Sequence, residues 1–319
     1  MSRHPMPVRG AALLAALLVF SAAALAAAPD GERSTLAPLA VRSLLLDAAD
    51  RDGLAIAVGE RGHVLVSRDG GTAWEQVVVP TRAQLTGVWI HEGGLAWAVG
   101  HDETILRSRD GGATWELVHS APEEERPLLD VWFADAETGF AAGAYGLLLA
   151  TRDGGSTWEP EVVAEEDDFH LNQIAAGGGS LYLAAEAGHL YRSDDAGRTW
   201  TTLPSPYDGS FFGVLPLSDG SILAYGLRGN LFRSEDRGAS WAEIPTGTEA
   251  TLTAGRDLGA GRVAIAGLAG ALLWSADGGR TFSARELPDR KATMALLPAR
   301  DGGLVLLGEG GVRHAEPPR

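Results

Sequence analysis

Ser67-Arg68-Asp69-Gly70-Gly71-Thr72-Ala73-Trp74 is the stretch on which the reading of this chain turns. It returns as Ser108-Arg109-Asp110-Gly111-Gly112-Ala113-Thr114-Trp115, and again from Thr151, Ser193, Ser234 and Ser275. The later copies keep Ser/Thr-x-Asp-x-Gly-x-(Thr/Ser)-aromatic. Their anchors are Asp69, Asp110, Asp153, Asp195, Asp236 and Asp277, closed by Trp74, Trp115, Trp158, Trp200, Trp241 and Phe282. Start-to-start spacings of 41, 43, 42, 41 and 41 residues make this one structural unit used repeatedly.

Around each box the pattern is β. Apolar runs such as Leu128–Phe133, Gly139–Ala142 and Trp115–Val118 are short and separated by Gly/Asp turns. A glycine-marked step precedes the run before each box: Gly59 to Gly62, Gly143 to Gly146, Gly226 to Gly229 and Gly267 to Gly270, with Gly100 to Glu103 and Ala185 to Gly188 as imperfect versions. Four short strands in about 42 residues form a propeller blade. A helical repeat of the same period needs long 3.6-residue patterns, and none follows residue 28. Within the box, the Asp can accept hydrogen bonds from turn amides, the glycines supply backbone angles that Cβ-bearing residues avoid, and the aromatic packs between blades. The box therefore reads as a self-bonded hairpin between third and fourth strands.

Six boxes give six blades. Residues 293–297, 303–308 and 311–315 repeat the first three strands once more, without a box. The expected fold is all-β, a seven-bladed propeller of four-stranded blades. Residues 34–40 are expected to supply the missing outer strand and close the ring.

The N-terminus reads as a signal peptide over residues 1–26. Arg3 and Arg9 precede an Ala/Leu/Val-rich run with Phe20, and the small-residue site Ala24-Leu25-Ala26 ends it. The single propeller domain is then 27–319, in the periplasm or otherwise exported. The chain has no cysteine, which excludes disulfides, thiolate metal sites and a cysteine nucleophile. Net charge is −16, and loss of the two leader arginines makes it more negative still. That balance argues against nucleic acid and anionic lipid as partners.

These boxes resemble the BNR or Asp-box repeats, and with the signal sequence and the Gly-x-x-Gly steps the chain looks most like the photosystem II stability/assembly-factor-like propellers. The resemblance covers residues 34–316. It implies a non-catalytic, monomeric, partner-binding propeller without cofactor, serving a membrane protein complex, an exporter component among the possibilities. Family members in phototrophs carry arginines on one face for photosystem II. Here Arg61 and Arg228 occupy two steps, whereas others hold His101-Asp102, Tyr145, Glu186 or Leu268. The role carries over, and photosystem II as partner does not.

In a propeller the boxes lie on one face and the steps on the other, around the channel. The expected partner-binding set is Arg61, His101, Asp102, Tyr145, Glu186 and Arg228, bordered by Glu123-Glu124-Glu125-Arg126 and Glu165-Glu166-Asp167-Asp168. The alternative is a sialidase-like glycoside hydrolase or carbohydrate-binding propeller, which needs two carboxylates about 5–10 Å apart. Asp102, Glu103, Glu186 and Glu309 are its candidates. No His pair has metal-ligand spacing, and no Gly-x-Ser-x-Gly elbow is present.

Overall fold

The structure is a computed structural model that describes Met1, residues 33–165 and residues 168–316. The signal-peptide reading falls outside these residues, Met1 apart. Seven antiparallel sheets follow one another in chain order, each running from the central channel outward. The inner strands are Leu45–Arg51, Leu85–Ile90, Leu128–Phe133, Leu171–Gly177, Phe211–Pro216, Leu252–Gly259 and Thr293–Pro298, in blades one to seven. Each packs beside the next, and the last touches the first. This is the expected seven-bladed β-propeller.

The apolar runs are continuous because both sheet faces are buried. Successive side chains point to opposite faces, so one strand feeds two interfaces. In blade two, Trp97 and Val99 pack against blade three, while Ala96 and Ala98 pack against blade one. The core is accordingly a ring of seven clusters, one between each pair of neighbouring blades.

Each box seals its own hairpin and then locks onto the preceding blade. In blade one the Ser67 hydroxyl donates to Asp69 Oδ1 (2.8 Å) and accepts from the Gly71 amide (2.9 Å). Asp69 Oδ1 accepts from the amides of Thr72 (3.1 Å) and Ala73 (3.0 Å). Equivalent bonds hold the other boxes. Hydrogen bonds from Thr157, Thr199 and Ser240 hold the carboxyls of Asp153, Asp195 and Asp236 down at about 2. The Gly70, Gly111, Gly154 and Gly278 amides bond the first turn of their own blades, at Gly53, Gly94, Glu137 and Gly261. Boxes and first turns therefore share one face, the box face.

The later box glycine is a seat for the neighbouring blade. A Cβ on Gly155 would fall 2.9 Å from Trp97 Nε1 of blade two, one on Gly112 would fall 3.0 Å from Ile56 of blade one, and one on Gly197 would collide with the Phe140 ring of blade three. The same relation closes the ring: Gly71 of blade one sits on Val305 of blade seven. The box aromatics fill the same interfaces, Trp115 between blades one and two and Trp200 beside blades three and four.

The closure differs from the sequence expectation in one respect. Blade seven has three strands among the described residues, and residues 34–40 are not its fourth. The Ser34 amide donates to Val79 O (2.9 Å), and the Ser34 hydroxyl accepts from the Val79 amide (2.9 Å). Gln76 accepts from the Ala37 amide (2.7 Å) and donates to Thr35 O (3.0 Å). The segment thus lies along the outer strand of blade one, and Pro38 has no N–H to give a ladder. The turn Ala40–Arg42 then packs on Gly311, at the start of the last strand, with Ala40 buried between blades seven and one.

The seat is open to measurement. Gly197 and Gly220 both have left-handed backbones (φ 83° and 85°), but a Cβ at Gly220 meets nothing within 4 Å. Gly197→Ala is expected to lower the unfolding free energy by about 1–3 kcal/mol more than Gly220→Ala, the overpacking cost. Phe140→Leu should recover part of that difference in urea unfolding. Equal losses for the two glycines would show that the seat is not tight.

Candidate partner-binding face and central channel

The opposite face is built from the glycine-marked steps. The first amide of each step donates to the carbonyl just before the inner strand of its own blade: Glu60 to Leu44 (3.1 Å), His101 to Gln84 (2.9 Å), Ala144 to Pro127 (2.9 Å), Glu186 to His170 (3.1 Å) and Leu227 to Ser210 (3.1 Å), with blades six and seven alike. The second residue is left-handed in every blade: Arg61, Asp102, Tyr145, Ala187, Arg228, Ala269 and Gly310. For a residue with a Cβ this conformation costs roughly 1–2 kcal/mol. It directs Arg61 (side chain 77 % exposed) and Tyr145 (60 % exposed) into solvent, and Arg228 is exposed as well.

Four of the six expected residues, Arg61, Asp102, Tyr145 and Arg228, therefore occupy one equivalent outward position. His101 and Glu186 hold the first step position instead. His101 lines the channel mouth with its Nε2 3.4 Å from Gln84 Nε2. Glu186 accepts from the His170 amide (3.2 Å) and pairs with its imidazole (3.2 Å). Glu60 and Glu309 accept the Leu44 and Ala292 amides in the same way (3.2 and 3.3 Å). Glu103 is buried and bound by Arg126 (2.7 Å) and His119 (3.3 Å). Of the four acids considered for hydrolysis, Glu186 and Glu309 are thus engaged in holding their own turns, and Glu103 is engaged by Arg126 and His119.

The channel holds a cavity of about 590 Å³ lined by all seven inner strands. His101 apart, its polar residues were not singled out from the sequence. Asp47 accepts from the Val88 amide (2.8 Å), Asp130 from the Ile174 amide (2.9 Å), and Gln173 from the Val214 amide (2.9 Å), each in the next blade. Thr86, Asn172 and Thr253 donate to carbonyls of the next blade at Leu128 (2.6 Å), Phe211 (2.8 Å) and Thr293 (2.6 Å). An inner strand has no partner strand on its channel side, so these latches satisfy groups left over there. Arg256 of blade six pairs with Asp50 of blade one, past the apolar inner strand of blade seven. Tyr225 reaches in where Gly213 and Gly255 leave room.

Burial pushes the Asp47 carboxyl up to about 6, against the pull of the Val88 and Ala48 amides and of Arg256. Burial and the charge of Asp47 push the Asp130 carboxyl well above the usual carboxylate range, and burial also raises the Tyr225 phenol. Among the described residues no three His, Asp or Glu side chains converge as a metal site requires.

A signal for the latches exists in the sequence. Asp47, Asp130 and Gln173 each stand two residues after the leucine that opens the inner strand, where blades two and five have Gly87 and Gly213. Because the folded Asp47 carboxyl titrates near 6 and the unfolded one near 3.9, the folded state holds the extra proton between those values. Its contribution to stability is complete below about pH 4 and disappears as pH rises through 6. Asp47→Asn keeps an acceptor for Val88 and should flatten that part of the stability–pH curve in urea titrations. An unchanged slope between pH 4 and 6 would remove Asp47 from the account.

Comparison with known proteins agrees with this architecture. Residues 120–248, which span blades three to five, match the family model described as photosynthesis system II assembly factor YCF48. No curated protein matches the chain. The solved structure of YCF48 bound to D1 peptide is 20 % identical, with a TM-score of 0.70 over 87 % of this chain and 95 % of that one. YCF48 from Cyanidioschyzon merolae is 18 % identical, with a TM-score of 0.69 over 88 % and 97 %. The WD40 propeller of Doa1 follows at 12 % identity and a TM-score of 0.67, over 85 % and 92 %. In its boxes, its steps and the match over blades three to five, this chain is similar to the YCF48-like BNR-repeat β-propellers, and it shares their seven-bladed fold.

Proposed function

We propose that this chain is a non-catalytic, protein-binding propeller that acts outside the cytosol as an assembly or stability factor for a membrane protein complex, docking through its step face. The observation that carries the reading is the ring of outward, left-handed step residues, among them Arg61, Tyr145 and Arg228, on turns fixed by backbone hydrogen bonds. Rigid scaffolds that display exposed aromatic and Arg side chains suit protein recognition. The family match and the likeness to a YCF48 that binds a D1 peptide support the same role. The charged start and Ala-rich run of residues 3–28 support export. The partner fits as a component of an envelope complex, an exporter included, met by a monomeric propeller without cofactor.

One observation favours a hydrolase, the paired channel carboxylates Asp47 and Asp130 with raised pKa. Asp47 Oδ2 is committed to the Val88 amide, and both Asp130 oxygens are committed to the Val131 and Ile174 amides. That commitment assigns them to holding blades together.

Affinity capture of a C-terminally tagged chain from detergent-solubilised envelope tests the role. One membrane complex recovered in near-stoichiometric amount, and lost with Arg61→Glu/Arg228→Glu, is the expected result. Capture unaffected by the double substitution would remove those arginines from the interface. A chain recovered alone and soluble would overturn the role and move the question to glycans.

A further inference from the structure

We propose that the tip of blade three grips a cationic segment of a partner protein that also carries apolar side chains, with the Tyr145 ring as the apolar seat and the flanking carboxylates selecting positive charge. The inference rests on the step face being the docking face and names what one sector of it recognises.

The seat is an exposed aromatic ring on a turn held in place from both sides. Tyr145 is 60 % exposed, one of the large apolar side chains that the described surface leaves open. The turn carrying Tyr145 is stapled to both neighbouring loops. The Ala144 amide donates to Pro127 O (2.9 Å), where the loop from blade two arrives, and the Gly146 amide donates to Phe169 O (2.9 Å), in the loop toward blade four. The ring leans edge-on against His170 with centroids 5.0 Å apart. His170 is itself fixed by Glu186 at 3.2 Å. One side of the Tyr145 ring is thus supported and the remainder faces solvent.

The charge around this seat has one sign. Arg126 is the only Lys or Arg of the first loop, and its guanidinium is taken up by Glu103 (2.7 Å) and Glu124 (3.3 Å). Glu123 and Glu125 are exposed and form no ion pair among the described residues. The second loop, residues 162–170, contains no Lys or Arg, and Glu165 and Asp168 are exposed there and form no ion pair among the described residues. An aromatic face bordered by unpaired carboxylates complements guanidinium and ammonium groups, through cation–π contact at the ring and Coulomb attraction at the loops. Anionic surfaces are repelled by the same charges. The arginines at Arg61 and Arg228 stand on blades one and five, outside this sector.

The test uses the full chain and a short fluorescein-labelled peptide of alternating Arg and Leu with blocked termini, read by fluorescence anisotropy. The comparison peptide has Gln in place of each Arg. Tyr145→Gly is the decisive variant, because it removes the ring while giving the left-handed turn the residue that suits it (φ 56°), so folding is not at risk. The expected result is preference for the Arg peptide that fades with added salt, a loss of about tenfold with Tyr145→Gly, and a smaller loss with a weaker salt dependence in Glu123→Gln/Glu125→Gln. Arg198→Ala on the box face should leave binding unchanged. Equal affinity for the Arg and Gln peptides, or binding that survives Tyr145→Gly, would overturn the proposal, as would a Tyr145-dependent association with neutral phosphatidylcholine vesicles in place of the peptide. Capture of an envelope complex together with failure of the peptide to bind would overturn the blade-three assignment and leave the docking role standing. The reverse pair of results would keep the assignment and sink the role.

Discussion

A sheet that is apolar on both faces has to be covered twice, and in this protein each blade is covered by its two neighbours. The contact that enforces the arrangement is the box glycine seated on the preceding blade, as Gly155 sits on Trp97 and Gly71 on Val305. Anything larger would push the blades apart, because protein interiors hold no slack of that size. The serine and aspartate of the box fix the hairpin, the glycine admits the neighbour, and the aromatic fills the wedge beside it. One eight-residue motif therefore specifies a turn and an interface together. Repeating it six times makes six of the seven clusters equivalent in kind though not in residues, and the cluster between blades six and seven forms without a box.

The two faces and the channel divide the remaining work. On the box face, polar groups are spent on the hairpins themselves. On the step face, the first residue is anchored by its amide to the strand beneath, and glutamates at that position return a carboxylate to the same place. The second residue is left outward-facing, in a conformation that favours glycine. Where it is Arg or Tyr, a costly backbone angle is kept together with a solvent-facing side chain, a combination that stability alone does not explain. In the channel the logic is inverted. Asp47, Asp130 and Gln173 face the axis, yet their hydrogen bonds run sideways into the next blade. They act as spokes between inner strands that have no ladder partner there.

The fold was legible in the sequence because its determinants are local and repeated. The spacing of Asp69, Asp110, Asp153 and their successors fixes the blade period, and the run Ala96–Val99 shows by its continuity that both faces are buried. The step face was legible for the same reason, since Gly59 to Gly62 and its equivalents mark a turn of known geometry. Two features were hidden. The path of residues 34–40 depends on Gln76 and Val79 offering hydrogen bonds, a tertiary competition that a strand count does not weigh. The latch residues were hidden because a lone Asp within an apolar run looks like an irregularity. Its meaning appears only when Asp47 and Asp130 are placed at the same offset from their opening leucines. His101 and Glu186 were assigned to the correct face, while their position within the turn depends on which amide reaches the strand below.

The seam between blades seven and one also bears on how the chain reaches its native state. A polypeptide made or exported from its N-terminus presents blade one first, but the side chains that cover its outer flank, Leu297, Val305 and Leu307, arrive last. Until then Ala55, Ala57 and Leu65 have only half of their interface. The Arg256–Asp50 pair and the Gly71–Val305 seat both join residues more than two hundred positions apart, so closure must await nearly the whole chain. Up to that moment the nascent propeller is an open arc with two sticky ends, a form disposed to join with other arcs. The docking of Ser34 and Ala37 along blade one spans only 45 and 39 residues, by contrast, and places the Ala40–Arg42 turn ready to receive Gly311 when it comes.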